Sequence, residues 1–512
     1  MTKYKQKMKK LKKEGICLQS EKQALDINGK PYNRGLLVLV LMIGSFCTVL
    51  NGTILATALP AIMKTFDINT STVQWLTTGF MLINGVMIPV SAWMINKFST
   101  RVMYIGAMTT FLLGTVLAYI STNFGMLLAG RIIQGLGVGV TMPLLQTIML
   151  SIFPPEKRGA AMGTVGLVIG LAPAIGPTLS GWVVDNYTWR DLFGMIIPIV
   201  CFVLILSFFL MRNVIPNQDQ KLDFISAVTS TIGFGSLLYG FSNAGNDGWT
   251  DKFVLLELVI GLIFVALFIR RQLHMEEPFL DVRVFKYGEF TLAALLSGVA
   301  NLAMFGIEML LPLYIQNVRG ESAFHSGLML LPGAIAMGVM SPITGRIFDR
   351  FGVRYMAITG MTLLTLGTIP FLFITENTSV AYIVIFYAVR MFGIAMTMMP
   401  VTTSGMNALP FNSISHGTAV NNTFRQVMSS IGTAILTSVL TNVTTNSLPA
   451  KSMLKQTPLK YRSEAIDAVL AGYHSAFFVA ACFALVALIL TFFLKKGNNA
   501  RQVNLNKKGA TK

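Results

Sequence analysis

One carboxylate in this sequence lies in the middle of a long apolar segment. Glu308 follows Asn301 and Phe305 in the stretch ANLAMFGIEMLLPLY, at intervals that place all three on one face of a helix. Burial disfavours the charged form of a carboxyl group, so Glu308 is a candidate for binding and releasing a proton. The alternative is a structural glutamate that pairs with a nearby arginine or amide.

Three arginines also fall within apolar segments. A charged side chain at the centre of a bilayer costs about 3 kcal/mol or more, so such a residue is functional by default. Arg131 needs hydrogen-bond acceptors and can bias the protonation of a neighbouring acid, which makes it a candidate for proton coupling. The alternative is an arginine that snorkels to the surface. Arg390 repeats the position of Arg131 in the second half, and Arg425 could pair with an acid or an anionic substrate group. A purely structural role is the alternative for both.

The composition indicates that these segments cross a membrane. The 512 residues are 53% hydrophobic and 12% charged, whereas soluble domains carry about 25% charged residues. Apolar runs such as 35–50 and 477–494 approach the ~20 residues that a helix needs to span a bilayer. The sequence therefore predicts an all-α integral membrane protein with fourteen transmembrane helices. We place them at 35–58, 72–95, 102–120, 125–151, 159–184, 192–212, 223–241, 252–270, 290–315, 325–345, 354–375, 380–407, 415–442 and 470–494.

The distribution of basic residues predicts that both termini are cytoplasmic. Net charge is +18, and on a soluble protein this would suggest a nucleic-acid partner. With both ends inside, 29 of the 40 Lys and Arg residues lie inside and eight outside, as the positive-inside rule requires. The lysines between Lys3 and Lys13 are then an anchor to anionic lipid, and we expect no nucleic-acid partner.

The chain repeats itself at an offset of about 255 residues. AWMINKFSTR at 92–101 is similar to GRIFDRFGVR at 345–354, and RIIQGLGVGVTMP from Arg131 is similar to RMFGIAMTMMP from Arg390. Two six-helix halves with a substrate site between them are a transporter design. The predicted organisation is a cytoplasmic basic tail (1–34), a first half (35–212), a linker with two extra transmembrane helices (213–289), a second half (290–494) and a cytoplasmic tail (495–512).

Small residues and prolines follow one another along the predicted fifth helix. Glycines let two helices approach closely, and prolines remove backbone hydrogen bonds that neighbours must replace. The pattern predicts either ordinary tight packing or a seal between the halves. Its members are Gly166, Gly170, Pro173, Gly176, Pro177 and Gly181.

Several motifs make the chain resemble a known family, the fourteen-helix drug:proton antiporters of the major facilitator superfamily (the EmrB/QacA-like group). GRIFDRFGVR resembles the loop signature of the superfamily, LLAGRIIQGLGVG resembles the fourth-helix signature of proton coupling, and GLVIGLAPAIGPTLSG resembles the fifth-helix antiporter signature. The resemblance covers about 35–494. It implies a major facilitator fold of six, two and six helices, and a gating charge network of Asp349, Arg350 and Arg354. A solvated surface loop is the alternative for these three residues.

Two departures from the family pattern matter. Asn96 and Ser99 stand where the loop signature of the first half usually has Asp and Gly, so we expect a weaker cytoplasmic latch there. Asn51 stands where many relatives carry an aspartate that binds a proton or a cation. This loss weakens the case for strongly cationic substrates and leaves neutral, zwitterionic and anionic ones open.

No sequence signature of an enzyme or a cofactor site is present. There is no Walker loop, and the four histidines form no zinc or catalytic pattern. We therefore expect no metal or cofactor, and the proton gradient as the energy source. The 30 methionines and 35 phenylalanines suit an adaptable apolar cavity. The predicted cavity residues are Asn51, Trp75, Phe80, Met81, Asn84, Asn301, Phe305, Tyr314 and Arg425.

The function that these features predict is proton-coupled multidrug efflux by alternating access. We expect a monomer in a bacterial cell membrane, with small amphiphilic compounds, protons and the lipid bilayer as its partners. One alternative is a dedicated exporter of an endogenous metabolite or signalling molecule. Another is a receptor or scaffold that transports nothing, which would not need the buried Arg131 and Glu308.

Overall fold

The computed structural model describes residues 24–495 except 56, 219, 451–452 and 454–456. Over this part of the chain, fourteen helices are long and apolar enough to cross a membrane. Of the predicted tails, residues 1–23 and 496–512 lie outside the described residues. In chain order the elements are β1 Ala24–Leu25, β2 Pro31–Tyr32, α1 Arg34–Thr53, α2 Leu59–Phe66, α3 Thr70–Lys97, α4 Thr100–Tyr119, α5 Phe124–Ile152, α6 Arg158–Asn186, α7 Asp191–Leu210, α8 Phe224–Asp247, α9 Lys252–His274, α10 Gly288–Asn317, α11 Ala323–Phe351, α12 Val353–Thr368, α13 Val380–Asn407, α14 Ile414–Ser447 and α15 Pro458–Thr491.

Polar side chains mark where several of the spans begin. The side chains of Asn33, Asn69 and Asn123 accept hydrogen bonds from the first turns of α1, α3 and α5. Ser322 and Ser379 do the same for α11 and α13. These caps satisfy backbone N–H groups that have no partner within the helix, so the apolar run can start at a defined residue.

Several predicted helix boundaries are wrong, and two of them illustrate why. The first helix was expected to run to residue 58, but α1 ends at Thr53 and the short helix α2 follows it. The last helix was expected at 470–494, but α15 begins at Pro458. Apolar content locates only the part of a helix that lies in lipid, whereas α15 starts with a polar turn for which Pro458 at the first position is well suited.

The helices form one bundle in which the two predicted halves face each other. We call the end of the bundle where α1 begins and α15 ends the terminal face, and the other end the opposite face. Helix α6 packs against α11, and α3 packs against α14. Helix α8 contacts both α3 and α14, and α9 packs against α8. The residue boundaries of the halves, and the side of the membrane on which the termini lie, stay predictions.

Candidate functional site

Arg131 is fully buried on α5, near the opposite face. Its Nε donates to the Leu76 carbonyl at 3.2 Å, and its Nη1 donates to the Asn51 carbonyl at 3.2 Å and to Gln134 Oε1 at 2.9 Å. The guanidinium also lies 4.0 Å from the centroid of the Phe80 ring. Carbonyl and amide oxygens, together with an aromatic face, thus surround this cation.

An amide network extends this site across three helices. Asn51 Nδ2 donates to Gln134 Oε1 at 3.0 Å, and Gln134 Nε2 donates to Thr115 Oγ1 at 2.9 Å. Asn51 Oδ1 is buried without a hydrogen-bond partner in the described chain. Asn51 is therefore a neutral amide that orients Gln134 towards Arg131.

Arg390 occupies the equivalent region of the second half, on α13. Its Nη2 donates to the carbonyls of Ala303 and Met304 on α10, at 3.0 and 2.9 Å. Its Nε and Nη1 are buried and have no hydrogen-bond partner among the described residues. Arg390 thus binds the backbone of α10, while its Nε and Nη1 remain available as hydrogen-bond donors beside that helix.

Glu308 lies on α10, one turn beyond the carbonyls that Arg390 binds. Arg390 binds the Ala303 and Met304 carbonyls one turn before Glu308, yet no ion pair within 4 Å joins Glu308 and Arg390 among the described residues. The side chain is half-buried. Glu308 therefore lies near Arg390 without forming an ion pair with it.

Arg425 lies on α14, and its two side-chain contacts are to helices α10 and α13 of the second half. Its Nη2 contacts Asn301 Oδ1 at 3.4 Å and Met398 Sδ at 3.6 Å. Asn301 and Met398 also line a small cavity between α10, α12 and α13 that has room for about one water molecule. One turn earlier on α14, Asn422 Nδ2 donates to Gln146 Oε1 of α5 at 2.7 Å.

The other predicted cavity residues do not line this cavity. The side chains of Trp75, Met81 and Phe305 are exposed at the surface of the bundle, and Asn84 is half-buried. Tyr314 is fully buried, and its hydroxyl donates to the Thr375 carbonyl at 2.6 Å. It packs between helices near the opposite face, because an aromatic ring with a polar tip fits the end of a span.

The small-residue stripe of α6 faces α11 over most of its length. A Cβ built at Gly166 would lie 2.9 Å from Ser341, and one at Gly170 would lie 2.9 Å from Met337. Gly181 approaches Phe324 near the opposite face, whereas Gly176 faces Thr53 of α1. Helices α6 and α11 therefore meet at a distance that larger side chains would not allow.

Asp349 forms a contact different from the predicted one. Its Oδ1 and Oδ2 accept hydrogen bonds from the backbone N–H groups of Gly159 and Ala160, at 2.8 and 2.9 Å. Among the described residues it forms no ion pair with Arg350 or Arg354. The predicted charge network is thus replaced by a carboxylate at the N-terminus of α6, where free N–H groups and the helix dipole favour an anion.

Asn96 joins the halves at the same face. Its Nδ2 lies 3.0 Å from His416 Nε2, and its Oδ1 accepts from Ser415 Oγ at 2.7 Å. The backbone N–H of Asp281 donates to His416 Nδ1 at 3.1 Å. The side chain that was expected to weaken the latch of the first half thus contacts α14 directly.

Comparisons with known proteins place this fold in a family. The model of the Major Facilitator Superfamily matches residues 41–433. The chain belongs to the Major Facilitator Superfamily. It is therefore a transporter rather than an enzyme, and a multi-pass protein of the plasma membrane.

Relatives within the superfamily match along most of their length. The uncharacterized MFS-type transporter YcnB of Bacillus subtilis is 50% identical, over 92% of this chain and 97% of its own. The lincomycin resistance protein LmrB of the same organism is 38% identical, over 90% and 95%. The structure of the human organic anion transporter MFSD10 superposes with a TM-score of 0.63 at 14% identity, over 89% of this chain and 99% of that one, and shows the fold alone.

Three polar residues of this superfamily member were missed in the sequence. Gln134 and Thr115 complete the Arg131 site, and Gln146 joins α5 to α14. Each is a polar side chain inside an apolar helix, which is a recognisable signal. Gln134 in particular follows Arg131 by three residues and so lies on the same helix face.

Proposed function

We propose that this transporter is a proton-coupled antiporter that exports small amphiphilic compounds, with the proton gradient as its energy source. The observation that carries the proposal is Glu308, a half-buried carboxylate beside Arg390 without a completed ion pair. Similarity to LmrB, a lincomycin resistance protein, supports an exported drug-like substrate.

Protonation of Glu308 changes its attraction to Arg390, and through that attraction the packing of α10 against α13. When Glu308 is ionised, its attraction to Arg390 draws α10 and α13 together. Protonation from the opposite face removes that attraction, and Arg390 then keeps only its bonds to the Ala303 and Met304 carbonyls. The difference between the two protonation states is the free energy that couples proton movement to helix movement.

Arg131 has a different part in the cycle. All its hydrogen-bond acceptors in the described chain are neutral oxygens on α1, α3 and α5. Neutral acceptors do not titrate, so this site holds the three helices together at every stage. The first half thus moves as a rigid body, while Glu308 senses the proton in the second half.

The contacts at the terminal face control whether the two halves are open or closed at that end of the bundle. Asp349 on α11 holds the start of α6, and Asn96 holds the start of α14. Both join the two halves at one end of the bundle only. Breaking them opens the terminal face to substrate, and the close packing of α6 on α11 limits leakage when they re-form.

Inverted membrane vesicles with an imposed pH gradient test the proposal. Glu308→Gln keeps the size and polarity of the side chain but cannot be ionised. We expect this variant to insert normally. Its gradient-driven dye uptake should fall at least about tenfold, which corresponds to about 1.4 kcal/mol of coupling free energy.

Glu289→Gln is the matched control. Glu289 is on the same helix but near the terminal face, where it pairs with Lys495 at 3.2 Å. An exposed pair of this kind contributes little, so uptake in this variant should stay near the native level. Native gradient dependence in Glu308→Gln would show that the proton is carried elsewhere.

A further inference from the structure

The guanidinium of Arg425 is buried with almost none of its hydrogen-bonding capacity used. The residue is 9% exposed, and its Nε has no partner in the described chain. Its two contacts, through Nη2 to Asn301 Oδ1 and Met398 Sδ, are long for hydrogen bonds. A buried charge without a partner is strongly destabilising, so the site is incomplete without an acceptor.

A second unpartnered donor lies on the same face of α14. Asn421 Nδ2 is buried without a partner among the described residues, and Asn421 precedes Arg425 by four positions, one helical turn. Both unused groups are N–H donors. What would satisfy them together is an acceptor with more than one oxygen.

The distribution of charge in the middle of the bundle also favours an anionic ligand at Arg425. Arg390 has Glu308 near it, and Arg131 is surrounded by neutral oxygens and the Phe80 ring. Among the described residues, Arg425 forms no ion pair. A cationic substrate would be repelled here, whereas an anion would complete the site.

We propose that Arg425 and Asn421 bind the carboxylate group of an amphiphilic substrate; this rests on the export function proposed above. Nε and one Nη of a guanidinium form a fork that matches the two oxygens of a carboxylate. Apolar side chains adjoin the fork, because Met304, Leu364 and Ile394 line the cavity that Asn301 and Met398 share. The apolar part of the substrate would widen that cavity when the halves separate.

The position of α14 explains how such binding reaches both halves. Asn422, beside Asn421, is bonded to Gln146 of the first half, and Gly85 of α3 lies against Gln426. Arg425 faces Asn301 of the second half. A carboxylate at Arg425 therefore lies at the junction that must part during alternating access.

A matched pair of fluorescent probes tests the inference on the full-length protein in lipid nanodiscs, without a pH gradient. The probes are 1-pyrenebutyrate and its uncharged amide, and binding is followed by energy transfer from tryptophan. We expect the native protein to bind the carboxylate about tenfold more tightly than the amide, because hydrogen bonds to a charged group are stronger than those to a neutral one. Arg425→Gln should abolish that preference by lowering carboxylate affinity to the level of the amide.

Arg270→Gln is the control, since Arg270 is exposed on α9 and its removal changes net charge equally. It should keep the native preference. If Arg425→Gln does not fold, Arg425→Lys, which keeps the charge without the fork, should weaken carboxylate binding severalfold and spare the amide. Equal binding of both probes by the native protein, binding of neither, or a preference that survives loss of Arg425 would overturn the inference.

Transport of the amide separates this inference from the proposed function. Gradient-driven amide uptake by a native protein that shows no carboxylate preference would refute the anion site alone. A preference that depends on Arg425, together with no gradient-driven uptake of either probe, would refute proton-coupled export alone.

Discussion

Gly345 and Gly159 bring α11 and α6 into backbone contact at the terminal face. A Cβ added at Gly345 would lie 2.2 Å from the Gly159 carbonyl oxygen, and one at Gly159 would lie 2.6 Å from the Gly345 oxygen. Both obstacles are main-chain atoms, which cannot rotate away as a side chain can. Gly345→Ala therefore requires the two helices to move apart where the halves are closed.

The size of the effect follows from this contact. Ordinary van der Waals contact begins at 3.4 Å, so the helices must separate by about 1 Å or strain their backbones. Overpacking of a tight interface costs about 1–3 kcal/mol. The clash exists only when the terminal face is closed, so this energy shifts the equilibrium towards opening at that face by about 5- to 150-fold.

Distances between two spin labels report that equilibrium. Glu156 lies just before α6, and Phe411 lies between α13 and α14; both are exposed at the terminal face, one in each half. In a background without native cysteines, Gly345→Ala should move the distance distribution between these positions towards longer values.

Two further glycines provide controls. A Cβ at Gly106 on α4 would meet nothing within 4 Å, so Gly106→Ala should leave the distribution unchanged. Gly261 on α9 is tightly packed, but against Leu237 of α8 rather than across the halves. Gly261→Ala should lower thermal stability without moving the distribution. A folded Gly345→Ala protein with the native distribution would refute the reasoning.

Two other predictions concern contacts at the terminal face. Asn96→Ala removes the contacts with His416 and Ser415; at about 1 kcal/mol each, their loss should favour the open terminal face by about tenfold or more in the same spin-label measurement. An unchanged distribution would contradict this. The hydrogen bonds from Arg271 to Asp223 hold the pKa of Asp223 at about 2. Its stabilising effect is complete above the ordinary aspartate pKa of about 4 and is lost as pH falls towards 2. The melting-temperature difference between native protein and Asp223→Asn should shrink over that window, and a constant difference would contradict the assignment.

Hydropathy was enough to predict the number and type of the helices, because a span must be long and apolar whatever its neighbours are. It failed at the end of α1, which stops at Thr53, and at the start of α15, which begins at Pro458 in polar residues before the apolar run. Helix ends outside lipid depend on caps and local packing, and these leave a weaker trace in the sequence.

The charged residues of the site could be predicted from the sequence, but their contacts could not. Arg131, Arg390, Arg425 and Glu308 were recognisable because charge is rare in such segments. Which residues they meet depends on how helices far apart in the chain are rotated against one another. Nothing in the sequence alone pairs Gln134 with Thr115 or turns Asp349 towards the start of α6.

The extra helix α8 changes how many spans move together. Its contacts with α3 are apolar and aromatic, as between Trp75 and Tyr239 or between Gly85 and Leu238. On the other side, the Ser438 hydroxyl of α14 donates to the Ala244 carbonyl of α8, and Trp249, just beyond α8, donates to that hydroxyl. Apolar surfaces slide more readily than directional bonds break. During the proposed alternation we therefore expect α8 and α9 to move with the second half, so that a body of six spans rocks against a body of eight.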